Sequence, residues 1–506
     1  MNMVILLPIG VPILVGMMLW MSSFAEHFRK EKKKKAPGNR IALYAVSILL
    51  LTTCAAAAVV LSWTGDRQLT LTELVDGIPL YFYIDDLGKL FVTVVSVIWV
   101  LTSVYCYSYL KEEGADKRFL GCFLALYGVL VGLCFAGNLV TMYLFYELMT
   151  LVSTPLVMHN RSREAILAGL KYLFFSLCGA YAGLFGIFVL NRYCDTLVFL
   201  PGGSLSPEMA VSYAGILQAA VFVMLIGFGA KAGMLPLHAW LPTAHPVAPS
   251  PASAVLSGVI VKFGVFAMIR VVCYVVGTEL IRGTWVQTVW MILSLCTVFM
   301  GSMLAFREPV FKKRLAYSTV SQLSYIVFGL SLLNPAALTG ALLHVVGHAV
   351  IKCGLFLTAG VFLSKYGCTK VSELSGIGKK QPKVLWCYTV FALGLIGMPF
   401  TAGFVSKWNL AVGSLTSKTG VFAVLGPIVL LISALLTAGY LLPVTMHGFF
   451  PGESETAGRQ GKPEKERTDW WMLLPLLVLA VLTVLLGTLP GKLVLYFEEL
   501  SGLLIG

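Results

Sequence analysis

227-GFGAKAGMLPLHAWLPTAHPVAPSPASAVLSGVIVK-262 decides how this chain is read. An apolar run carries Lys231 and then meets Gly-Met-Leu-Pro. Proline lacks the N–H donor and clashes with the preceding turn, so a helix through this run must break there. A second apolar run carries Lys262 about 12 residues in, which at about 1.5 Å per residue is about 18 Å deep. A hydrocarbon core is roughly 30 Å thick, so Lys262 falls near its middle. Cations at such depth are costly outside a polar interior, and their default reading is an ion or proton path.

The composition around this stretch agrees. The chain has 506 residues, 58% hydrophobic and 12% charged, with a mean hydropathy of +0.86. Repeated apolar runs of about 20 residues give an all-α polytopic membrane protein. A membrane β-barrel would need short alternating segments, which do not occur. The net charge of +13 does not indicate nucleic acid, because the basic residues lie in short loops between apolar runs. The eleven cysteines show no CxxC spacing and mostly lie inside apolar runs, so they read as small core residues rather than zinc or iron–sulfur ligands. The run 3–20 has no preceding basic region and no small-residue cleavage site, so it is expected to be a first span and not a removed signal.

Fourteen spans are expected, at 3–21, 41–62, 87–109, 119–136, 138–158, 165–190, 212–241, 250–276, 285–305, 315–333, 338–363, 384–413, 421–447 and 471–489. Odd-numbered loops hold 25 basic residues, including 29-RKEKKKK-35, against 4 in even-numbered loops. The positive-inside rule then places the odd loops in the cytoplasm and both termini on the outer side of a cell membrane. The loop around 242–249 has no basic residue and is placed by parity alone. The basic run at 29–35 is expected to touch anionic lipid head groups, and the segment 451–469 to be a polar connector.

Few charges remain inside the spans. Glu147 lies in 141-TMYLFYELMTL-151, Lys171 early in span six, and His344, His348 and Lys352 in 344-HVVGHAVIKCG-354. Lys407 lies in 396-IGMPFTAGFVSKW-408. Glu147 and Lys231 are the natural ion pair, either a protonation-dependent gate or a static helix clamp. His344, His348 and Lys352 recur at i, i+4 and i+8, so they share one slowly rotating helix face. Two histidines and a lysine on one stripe favour a proton relay, and the cationic lysine opposes a metal site. Lys89, beside Asp85 and Asp86, and Arg270 are expected to snorkel to the interface.

Spans seven and twelve each break at Gly/Pro-containing sequence beside a lysine, five spans apart. Such interrupted segments at corresponding positions point to inverted repeats. The expected organisation is spans one to three at 1–118, a five-helix unit at 119–276, its inverted copy at 285–447, a connector at 448–470, and span fourteen with a tail at 471–506. Freed backbone at the breaks must face protein or water, which predicts a hydrated mid-membrane path.

The motifs 146-YELMTL-151, 227–262, 348-HAVIKCGLFLTAG-360 and 398-MPFTAGFVSKW-408 resemble those of the antiporter-like subunits shared by respiratory complex I, membrane-bound energy-converting hydrogenases and Mrp-type Na+/H+ antiporters. They follow that family's order over the central part of the chain. The resemblance implies fourteen core helices with helices seven and twelve broken, and proton transfer through Glu147, Lys231, Lys262 and Lys407. It implies a subunit of a larger membrane complex that moves H+, with Na+ left open, and that holds no cofactor, metal or redox centre of its own. Three readings compete: an Mrp-type antiporter subunit without a redox partner, an organic-solute transporter, and a scaffold whose charges only join helices.

Overall fold

The computed structural model describes residues 3–28, 37–65, 67–75, 77–113, 116–452 and 469–505. The basic run 29–35 and most of the polar connector lie outside them, with the basic residues Arg459, Lys462, Lys465 and Arg467. The chain is a bundle of long helices: α1 (Leu7–Phe28), α2 (Pro37–Trp63), α3 (Asp86–Glu113), α4 (Asp116–Cys134), α5 (Leu139–Val157) and α6 (Arg163–Tyr193). After these come α7 (Ala214–Ala232), α8 (Ser250–Val276), α9 (Trp285–Arg307), α10 (Phe311–Ser331) and α11 (Pro335–Tyr366). The bundle closes with α12 (Pro382–Ile396), α13 (Ala402–Leu415), α14 (Val421–Phe449), α15 (Trp470–Thr488) and α16 (Gly491–Ile505).

Among the described residues, twelve helices are long and apolar enough to cross a membrane. Two further expected spans fall short for visible reasons. Helix α10 carries the polar run 317-YSTVSQLSY-325, and the twelfth span is divided into α12 and α13. Helix starts are set locally. The side chains of Asn138, Ser162 and Asn334 accept from Thr141 N (2.7 Å), Ala165 N (3.1 Å) and Ala337 N (2.7 Å). Each such cap satisfies one of the four N–H groups that a helix start leaves over.

The described loops that bond to one another sort into two sets by parity. Asn160 of loop five reaches the Val247 carbonyl at 3.4 Å, and Phe311 N and Val371 N bridge loops nine and eleven. At the other end, Tyr83 N reaches Phe135 O, Leu139 N reaches Leu197 O and Leu200 N reaches Tyr274 O. The loop near 242–249 therefore does sit with the basic loops, and Lys312, one of the basic residues of loop nine, folds onto it by donating to the Ala248 carbonyl.

Burial separates the core from the rim. Helix α8 is buried from Ser250 to Val276 and α11 from Ala337 to Phe362 apart from Val346, whereas α2, α6 and α14 expose large apolar residues such as Leu49, Phe188 and Leu435. A helix with no solvated face is what a membrane core requires.

The two breaks are built alike. Helix α7 ends at Ala232 with Gly233 at φ 74°, and α12 ends at Ile396 with Gly397 at φ 93°. Both are left-handed positions that L-residues rarely adopt, so glycine ends each helix before proline is reached. The break falls at Gly-Met-Leu-Pro as expected, but its glycine and not its proline makes it: the helix ends at Ala232, four residues before Pro236, and the short helix Leu241–Val247 follows before α8.

Three features were not foreseen. Residues 68–83 form an antiparallel hairpin, β1 (Gln68–Val75) and β2 (Ile78–Tyr83), fastened to the start of α5 by Asn138 Nδ2 to the Pro79 carbonyl (2.7 Å). The expected tail is helix α16, which docks on α11 through Ser501 Oγ and Thr339 Oγ1 (3.1 Å). Helix α8 is wound as π-helix over Leu256–Ile260 and Arg270–Val276.

Candidate functional site: a buried row of cations

Helix α7 brings Lys231 wholly into the interior. Its ammonium group donates to three hydroxyls, Thr150 Oγ1 (2.8 Å), Tyr172 Oη (3.0 Å) and Ser176 Oγ (3.0 Å). The Tyr172 ring lies 4.6 Å from it. Three donors meet three neutral acceptors, so the lysine is solvated by protein without a fixed counter-charge. Glu147 is within electrostatic reach but forms no ion pair with Lys231. Among the described residues its carboxylate accepts only from Tyr143 Oη, at 3.4 Å. It is half-buried between Leu144 and Leu148, both over a third exposed, so it sits at the rim of the subunit.

Lys171 is half-buried and donates to Thr243 Oγ1 at 3.0 Å. It does not touch the Lys231 hydroxyls, although its neighbour Tyr172 is one of them.

Lys262 is buried at the end of the first π-helical turn of α8 and donates to the Ser257 carbonyl at 3.1 Å. A π turn disturbs the regular i→i−4 ladder, and such turns are frequent at functional sites. Ser257 Oγ lies 2.8 Å from Thr319 Oγ1 on α10. The preceding residue, Ser318, accepts a hydrogen bond from Lys352 of α11, which also donates to the Leu315 carbonyl at 2.9 Å. Ser257, Thr319 and Ser318 thus lie between the two buried lysines, with Ser318 and Thr319 adjacent in sequence and both donating to the Leu315 carbonyl.

From Lys352 the row continues along α11. The rings of His348 and His344 stack at 5.7 Å, and His344 stacks on Tyr325 at 5.6 Å. His344 Nδ1 lies 2.8 Å from Ser406 Oγ, beside Lys407 in sequence. Lys407 does not run outward along α13. It reaches back across the break to the Leu395 and Ile396 carbonyls (2.6 and 3.0 Å), the last of α12, and lies 5.0 Å from the Tyr325 ring. A cation at these orphan carbonyls is where the helix dipole favours one.

The row therefore gathers Lys262, Lys352, His348, His344 and Lys407, with Lys231 on the adjoining α7 and Glu147 at the rim. The sequence reading missed the hydroxyls. Serine and threonine are ordinary in membrane helices, but the run 317–325, polar at seven of nine positions, was a usable signal. It also missed His245, wholly buried with both ring nitrogens free of protein hydrogen bonds and stacked on Phe356 at 4.6 Å.

Arg270 is a correction. It does not snorkel: it is wholly buried at the start of the second π stretch, bound through both terminal nitrogens to the Asp85 carboxylate. Phe199, Phe266 and Tyr274 lie 4.5–4.9 Å from its guanidinium carbon. Asp85 was read with the interface group and is its partner instead. Lys89 does pair locally, with Asp86 at 2.9 Å. Among the described residues no cluster of histidine, cysteine or carboxylate groups could hold a metal.

Comparison with known proteins places this arrangement. Residues 136–437 match the family model described as NADH:quinone oxidoreductase/Mrp antiporter, transmembrane. The chain is 33% identical to NADH-quinone oxidoreductase subunit N of Desulforudis audaxviator, over 86% of this chain and 88% of that one. It is 32% identical to hydrogenase-4 component B of Escherichia coli, over 80% of this chain and 61% of the relative. A chain of the Mrp complex from Dietzia sp. has the same fold, with a TM-score of 0.81, 22% identity and coverage of 100% and 98%. The chain is a multi-pass membrane protein that belongs to the NADH:quinone oxidoreductase/Mrp antiporter transmembrane family.

Proposed function

We propose that this chain is the proton-translocating, non-redox subunit of a redox-driven complex in the cell membrane, of the hydrogenase or NADH dehydrogenase kind. The observation that carries the reading is the row of buried cations interspersed with hydroxyl and imidazole groups, with no ion-paired carboxylate along it among the described residues. An ammonium group held by neutral acceptors can release and regain a proton without breaking a salt bridge. Imidazoles can both accept and donate one.

In this reading a proton enters from the side of the basic loops near Lys262 and passes by Ser257, Thr319 and Ser318 to Lys352. It continues over His348 and His344 to Lys407 at the second break. Lys231 and its three hydroxyls form the first unit's own station. Glu147, at the rim, couples that station to a neighbouring subunit rather than closing a gate within the chain. Lys171 adjusts the field at Tyr172. Residues 119–276 and 285–447 act as two inverted units, with both termini on the outer side. The names of two relatives, a quinone oxidoreductase subunit and a hydrogenase component, support a redox partner. The Mrp likeness supports the second reading, a Na+/H+ antiporter subunit.

The test is reconstitution of the native complex into vesicles with a pH-sensitive dye. The Lys231→Ala and Lys407→Ala complexes should assemble and lose proton uptake by about tenfold or more, the scale of a lost proton-transfer group. Wild-type rates in both variants would sink the reading. Uptake driven by a Na+ gradient, and not by electron donors, would replace it with the antiporter reading.

A further inference from the structure

At the end of the bundle that carries the basic loops, α1, α4, α5 and α6 enclose a half-open cavity of about 440 Å³. Its walls include Trp20, Phe24, Pro155 and Ile166, and its polar groups include Arg118 and Arg161. Trp20, Phe24 and Ile166 are each 42–54% exposed on the face where α1 and α6 meet the surroundings. Tryptophan at this level of a span is the usual interfacial anchor.

The arginines carry the argument. Arg118 gives Nη2 to the His159 carbonyl, and the same nitrogen lies 3.4 Å from His159 Nδ1. Arg161 forms no side-chain hydrogen bond and neither forms an ion pair among the described residues. The two guanidinium groups are close enough to repel each other. Arg161 is also held at φ 54°, a backbone region uncommon for residues other than glycine. Two guanidinium groups with no carboxylate partner among the described residues, above an apolar wall, match a phosphate with attached hydrocarbon, because the planar fork binds phosphate oxygens in pairs. Basic pockets between membrane helices bind lipid head groups on the same grounds.

We propose that this cavity binds an anionic phospholipid, its phosphodiester between Arg118 and Arg161 and its acyl chains against Trp20, Phe24 and Ile166. The site is separate from the proton row and does not depend on it.

The test uses the native complex in mild detergent, exchanged into bilayers of phosphatidylcholine with or without phosphatidylglycerol. Native mass spectrometry should find phosphatidylglycerol retained over phosphatidylcholine. Retention should fall by at least about tenfold in Arg118→Gln/Arg161→Gln, since even one lost charge-assisted contact accounts for that factor and two are removed. In the unaltered arginine background, brominated phosphatidylglycerol should quench tryptophan emission more than brominated phosphatidylcholine. That difference should vanish in Trp20→Phe, so the site is testable even where the double variant fails to assemble. Equal retention of the two lipids, displacement of the lipid by inorganic phosphate, or an acidic residue of a neighbouring subunit cross-linked into the cavity would each overturn the proposal.

Discussion

At the scale of single residues, the buried charges divide by what neutralises them. Asp85 and Arg270 form a two-point ion pair inside aromatic walls, and removing one partner leaves a buried charge uncompensated. Breaking such a pair costs about 3–5 kcal/mol, whereas replacing both partners with apolar groups is often neutral. Asp85→Asn should therefore lower the thermal unfolding midpoint in detergent sharply, and Asp85→Leu/Arg270→Met should recover most of the loss. Lys231 is the opposite case, held by hydroxyls. Thr150→Val removes one acceptor, worth about 1–2 kcal/mol. It should leave assembly intact and slow proton uptake; an unchanged uptake rate in vesicles would make Thr150 a packing group only. The cations of the row were legible in the sequence because charge in an apolar run is rare. Their partners were not, since a serine that completes a lysine's shell looks like any serine in a membrane helix. The Asp85–Arg270 pair was missed for a related reason: its members are 185 positions apart, and each alone lies near a span end.

At the scale of elements, the two breaks decide where the lysines lie. Gly233 and Gly397 stop their helices in left-handed conformations, and Lys407 covers the carbonyls that the second stop exposes. Gly397→Ala should cost about 1 kcal/mol or more, since a Cβ is strained at positive φ. Lys407→Met should cost about 0.3–2 kcal/mol through the uncovered carbonyls. Chemical unfolding of the two variants checks both, and a Lys407→Met protein with wild-type stability would remove the capping role from Lys407 while leaving its transport role to the vesicle assay. The existence and neighbourhood of the breaks could be read from Gly-Met-Leu-Pro and Gly-Met-Pro. The stopping residue could not, because proline advertises a break more loudly than the glycine that makes it. The π turns of α8 have no sequence signature at all: Leu256–Ile260 is ordinary apolar sequence, and its winding follows from packing against α11 and α3.

At the scale of the whole molecule, charge, burial and connectivity follow one plan. The described loops that bond to one another sort by parity, and the two most enclosed helices, α8 and α11, are the ones that carry Lys262, His344, His348 and Lys352. That much follows from one constraint, since ionisable groups must avoid lipid. The hairpin and α16 escaped because neither serves the crossing of a membrane: one closes an end, the other lies along α11. The same central layer contains His344 Nε2, both nitrogens of His348 and Ser324 Oγ, all buried and without protein partners. Buried polar atoms are almost always satisfied, by ordered water where protein does not serve. An experimental map of the assembled complex that resolves water should therefore show ordered density at the His348 nitrogens and at Ser324 Oγ. Replacing Ser324 with alanine should loosen this water and slow proton uptake a few-fold. Replacing His348 with leucine should stop it, with assembly kept in both. If the map shows packed, dry side chains at these atoms, protons do not travel along α11. The row of cations would then be a set of separate charged stations, coupled through their fields and not through a chain of hydrogen bonds.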